Sequence, residues 1–168
     1  MKKTLALNSL ILLALFYGTY KYSATINYTD IKDLMDILKN ASAMIFTIVG
    51  IWLAYIYPNA ITALVKPESI SLIAGRKDAK RIEMLVGIII SSAIVIVGII
   101  LFFILKVLLS PTPFYASNVE WIKPLAIAFV FMLTYLQVVS IVKVVWSNIL
   151  FINDLHGRLN QQELENKK

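Results

Sequence analysis

The sequence predicts an all-α integral membrane protein with four transmembrane helices and short amphipathic connecting helices. Three observations carry that prediction. Of 168 residues, 59% are apolar and only 15% are charged, against roughly 45–50% and about 25% in an average soluble protein. A soluble domain of this size keeps too much surface to hide so much apolar side chain. The apolar residues gather in four stretches, each near the roughly 20 residues that a spanning helix needs. This composition excludes an ordinary soluble globule, a disordered chain and a disulfide-rich module. The chain has no cysteine, which removes thiolate metal sites and cysteine nucleophiles.

The first span is expected over about 4–20, behind Met1, Lys2 and Lys3. It reads as an uncleaved signal anchor, because cleavage wants small residues and the nearest pair, Ser23 and Ala24, sits beside Tyr20 and Tyr22. Residues 25–40 read as a short amphipathic helix on the membrane surface or over the bundle. Thr29 or Asp30 would cap it, and Ile31, Leu34, Met35 and Leu38 would form its apolar face. The second span is expected over 41–65, with Pro58 kinking it beside Asn59. A short helix opened by Pro67 and ended by Gly75 should follow.

The cluster Arg76, Lys77, Lys80 and Arg81 precedes the third span, expected over 84–109. It is a topology signal facing anionic lipid and a candidate docking site for a soluble cytoplasmic partner. With the N-terminus inside, ten lysines and arginines fall on the cytoplasmic side and five outside. Both termini are therefore expected in the cytoplasm. The loop from Ser110 to Tyr115, with Pro111 and Pro113, should be short and stiff. Trp121 then sits at the interface, and Pro124 is expected in the first turn of a fourth span over about 124–152. Residues 153–168 form a polar cytoplasmic tail, either a frayed end or a helix that protrudes for some turns.

Two kinds of helix face are candidates for function. Gly50 and Ala54 on the second span, and Gly87, Ser91 and Gly98 on the third, are small residues at helical spacing. They let helices approach closely where lipid gives no hydrophobic drive. On the fourth span Thr134, Gln137, Ser140, Lys143 and Ser147 share one half of the helix. A polar half-face at membrane depth must be covered by protein or water. Lys143 stands about nine residues, roughly 14 Å, from the end at Ile152, so it snorkels or makes a structural hydrogen bond, lines or gates a pore, or serves a substrate or proton site.

No span contains Asp or Glu, which disfavours a proton-coupled exporter. No phosphate loop, metal spacing or catalytic constellation occurs, so no cofactor is expected and the chain reads as a non-enzyme. Basic residues without interleaved aromatics give no nucleic-acid signal. The chain looks bacterial, which places it in the inner membrane. Its stretch from Gly50 to Ala60, reading GIWLAYIYPNA, resembles small four-span membrane subunits of bacterial antiphage systems of the Kiwa kind. That resemblance implies a homo-oligomeric membrane subunit that senses envelope disturbance and works with a soluble cytoplasmic partner. A pore lined by the fourth helix, and a small transporter or assembly factor, are the alternatives.

Overall fold

The computed structural model describes residues 13–56 and 75–166. These residues form helices and turns, with no strand among them. Helix α1 spans residues 13–22. Helices α2 (Tyr28–Ile56), α3 (Gly75–Leu109) and α4 (Pro113–Asn166) follow. Among the described residues three helices are long and apolar enough to cross a membrane, over Tyr28–Tyr55, Lys80–Leu109 and Pro113–Asn153. The expected first span lies partly outside the described residues, and its described part is α1. Residues 57–65 of the second span, Pro58 and the helix expected after Pro67 lie outside them too.

The amphipathic segment and the second span are one helix, which corrects the expectation of a separate connecting helix. The N–H of Asn27 bonds the Asp30 carboxylate at 3.4 Å, and the Ile31 N–H reaches the Asn27 carbonyl at 3.4 Å. Asn27 therefore stands at the cap of α2, earlier than Thr29 or Asp30, and the Asp30 carboxylate accepts from its N–H, which is the acidic half of a capping box. Nothing then stops the helix, because residues 31–56 contain no proline and a single glycine, Gly50. Lys39 and Asp36 form an exposed ion pair at 2.9 Å on its outer side. Exposed pairs of this kind contribute about 0.2–1 kcal/mol. Lys39→Ala is accordingly expected to lower the melting temperature in detergent by no more than about 4 °C; a larger drop would assign the pair a role beyond local helix support.

The beginning of α4 also departs from expectation. Thr112 is its cap: its hydroxyl accepts from the Tyr115 N–H at 3.2 Å and donates to the Leu109 carbonyl at 2.7 Å. Pro113, not Pro124, takes the first helical position, where its missing N–H costs nothing. The helix breaks once, at Asn118 (φ −123°, ψ 17°). There the Asn118 amide donates to the Phe114 carbonyl at 2.9 Å and satisfies a group the break would strand. Pro124 sits buried inside the helix beyond that break. At its other end α4 runs on through Gly157 to Asn166, so the tail is helical as far as Asn166.

The chain divides into two compact units. Unit 1 joins Met1–Met44 to Ser91–Val138, and unit 2 joins Ile45–Ile90 to Val139–Lys168. The core of unit 1 is Ile31, Met35 and Leu38 from α2, Val95 and Ile99 from α3, and Ile127, Val130 and Leu133 from α4. These residues recur three or four apart, so each helix turns one stripe inward. Of the two places expected for this apolar face, the membrane surface or the bundle, it takes the bundle. The core of unit 2 is smaller: Val49, Leu85 and Ile88, with Ile45, Leu53, Met84, Ile89 and Val144 packed against it.

Candidate functional site

Burial is inverted relative to a soluble protein. Ser42, Ser92 and Gln137 are buried in unit 1, and Ser140 and Ser147 are buried in unit 2. Large apolar side chains such as Ile90, Ile94, Val97, Val107, Val142 and Val145 are exposed. Water would not tolerate that surface, since exposed apolar patches drive association. Hydrocarbon favours it, and demands that polar groups turn inward. The described residues form a largely helical, apolar protein consistent with embedding in a lipid bilayer.

The polar residues of unit 1 include one direct cross-helix bond. The Ser42 hydroxyl of α2 donates to the Gln137 side-chain oxygen of α4 at 2.9 Å. Ser42 is 0% and Gln137 2% exposed. The Gln137 Nε2 has no hydrogen-bond partner among the described residues, nor has the Ser92 hydroxyl. Turning the amide over would present Nε2 to Ser42 and strand the oxygen instead. Either way one half of a buried amide stays unpaired, at a cost of about 1–3 kcal/mol.

The other residues of the expected polar face differ in burial. Thr134 is half-buried and donates to the Val130 carbonyl at 2.9 Å, inside its own helix. Ser140 and Ser147 are buried, but Lys143 is exposed. Lys143 lies on the outer surface of unit 2, beside exposed Val142 and Val145. The polar half-face therefore splits into an inward serine edge and an outward lysine.

The small residues also separate. An added methyl at Gly98 would meet the Leu133 Cδ2 at 2.8 Å and Cδ1 at 3.0 Å, so Gly98 is a true close-approach position within unit 1. At Gly50 and Gly87 an added methyl meets nothing within 4 Å. Ser91 is half-buried and Ala54 is exposed. Gly50, Ala54 and Gly87 thus leave room beside them on the surface of unit 2.

In the basic cluster, Arg76, Lys77, Lys80 and Arg81 all fall in α3, at its first two turns. Lys80 is exposed. The Arg81 guanidinium stacks 5.4 Å from the centre of the Phe151 ring of α4, a cation–π contact. It ties the start of α3 to α4 near the end of its apolar segment, within unit 2. Sequence reasoning missed Ser42 and Ser92. Each continues a buried stripe, Ile31-Met35-Leu38-Ser42 on α2 and Leu85-Ile88-Ser92-Val95 on α3. A serine in phase with an apolar core stripe was the available signal.

The described residues contain no group of three His, Asp or Glu placed to hold a metal ion. Comparison with protein-family models, curated proteins and solved structures returned no match, so the functional reading rests on the chemistry of this chain.

Proposed function

We propose that this chain is a non-enzymatic, self-associating membrane subunit that couples an event in the bilayer to a soluble protein. The observation that supports it most is α4 itself. The helix leaves its spanning segment at Asn153 and continues to Asn166 without a break, extending about 20 Å beyond the apolar segment at 1.5 Å per residue. Leu159 and Leu164 stand exposed on that extension, as anchors for a partner's groove would. A displacement of α4 in the bilayer reaches the extension as a rigid movement. In this reading the chain has four spans in a bacterial inner membrane, with both termini in the cytoplasm and a role in antiphage defence. Second copies would meet the open small-residue positions Gly50, Ala54 and Gly87.

Native mass spectrometry of the tagged protein, extracted gently from its own host, tests the reading. A homo-oligomer carrying a stoichiometric soluble protein is expected. Truncation after Asn153, or neutralising Arg76, Lys77, Lys80 and Arg81 together, should release that protein and keep the oligomer. A bare monomer, or a partner that survives both changes, overturns it.

The exposed Lys143 favours one alternative. A charge near the middle of a spanning helix costs about 2.5–3.5 kcal/mol, and in an oligomer it would escape that cost by facing a wet axis. As a pore-lining group, Lys143 should set ion selectivity, so Lys143→Glu should shift anion preference toward cations in liposome flux. Unchanged selectivity would leave Lys143 as a snorkelling side chain.

A further inference from the structure

Unit 1 contains a cavity of about 770 Å³ between α1, α2, α3 and α4, within the roughly 300–1,000 Å³ of pockets that hold small molecules. Its polarity is arranged end to end. Asn27 and Tyr28 at the start of α2, Lys106 and Ser110 at the end of α3, and Tyr115 in the first turn of α4 line one end. Lys123 lines it too. Deeper along the helices the walls are apolar, as at Phe102, Phe129 and Met132. Leu13, Leu101 and Leu125 on the walls are exposed, so the cavity opens to the exterior. Two lysines line it, and no Asp or Glu does among the described residues.

We infer that this cavity binds an anionic phospholipid, with an acyl chain along the apolar walls and the phosphate at Lys106 and Lys123. The occupant must be amphipathic, because one end of the cavity is polar and the rest is hydrocarbon-like. It must be anionic, because two ammonium groups with no lining carboxylate leave positive charge uncompensated. Lys106 is held for this role. Its ammonium lies 3.2 Å from the centre of the Tyr28 ring, which fixes the stem while leaving N–H donors free for a phosphate. Interfacial lysine and tyrosine in this pairing match the depth of a headgroup. The inference is independent of the proposed coupling function.

Delipidated full-length protein in detergent should be titrated with phosphatidylglycerol and with phosphatidylcholine of the same acyl chains, counting adducts by native mass spectrometry. Tighter first-site binding of phosphatidylglycerol, by roughly tenfold or more, is expected. K106Q/K123Q should abolish the preference while leaving weak, equal binding of both lipids. K32Q/K39Q, which removes exposed lysines that do not line the cavity, should keep it. Ala126→Trp, which fills the cavity from α4, should weaken both lipids. Equal affinity of the parent protein for the two lipids overturns the inference. So does a preference that persists in K106Q/K123Q or vanishes in K32Q/K39Q. Displacement of the lipid by equimolar glycerol phosphate would make this a free-anion site and also overturn it. If K106Q/K123Q fails to fold by circular dichroism, the parent titration together with Ala126→Trp still decides the matter.

Discussion

Replacing Gly98 with leucine is expected to lower the unfolding free energy by about 2–3 kcal/mol, through overpacking of a closed core. Even a single added methyl would lie 2.8 Å from Leu133 Cδ2. Leu133 is 1% exposed and belongs to the same core as Val95, Ile99 and Val130. A small rotation of its terminal carbons can admit one methyl, but a leucine side chain would have to displace those neighbours, because packed interiors contain few voids. Gly98→Ala should cost less, since a small rotation of Leu133 relieves most of the clash. Gly50→Ala and Gly87→Ala should be neutral or stabilising by about 0.5–1 kcal/mol, through helix propensity alone. Chemical unfolding in mixed micelles gives all four values. Leu133→Ala placed beside Gly98→Leu should recover part of the loss, because it vacates the volume the new side chain needs. A Gly98→Leu protein as stable as the Gly50→Ala protein would show that α3 and α4 do not meet at this position.

Ser42→Ala is expected to cost about 1–3 kcal/mol. It removes the one partner that the Gln137 side chain has among the described residues and leaves a buried amide unpaired there. Gln137→Leu should cost less than Ser42→Ala. Ser42 lies in a helix, where its hydroxyl can turn back to the carbonyl of Leu38. Gln137→Leu also removes the unpaired Nε2. The double variant should lie near the parent, since replacing both partners by apolar groups of similar shape is close to neutral. The double-mutant cycle therefore predicts a favourable coupling between Ser42 and Gln137. Simple additivity would mean the 2.9 Å bond contributes nothing in the micelle. If the double variant is stable but loses the self-association or the soluble partner proposed above, the pair serves the register of α2 against α4. That is the service buried polar groups perform best.

Much of this fold is legible in the sequence because hydropathy is a property of the chain summed along its length. The spans at α3 and α4 fall where the apolar stretches lie, and no strand pattern competes with them. Local punctuation was harder to read. Asp30 was visible as a capping residue, but whether it caps or supports the cap at Asn27 depends on where the first backbone bond forms. Pro113 and Pro124 both suit a first helical turn, and the turn at Thr112 chooses the first. The amphipathic face Ile31-Leu34-Met35-Leu38 was plain, while its destination was not. A face of that kind sits equally well on lipid or on protein, and only the presence of Val95, Ile99 and Val130 opposite decides.

The candidate sites show the same division. The sequence by itself determined that polar side chains such as Gln137 and Ser140 must be shielded, because hydrocarbon cannot satisfy them. It also determined that the chain suits a bilayer, since its apolar content exceeds what a soluble domain of this size can hide. The tertiary structure alone decided that Ser42 is the partner of Gln137, that Lys143 faces outward while Ser140 and Ser147 face inward, and that Gly98 is crowded while Gly50 and Gly87 are open. The reason is physical. Transfer free energy depends on a residue's type and so is written in the chain, whereas a hydrogen bond or a steric contact depends on what stands opposite, which residues 95 positions apart, as Ser42 and Gln137 are, acquire only by folding.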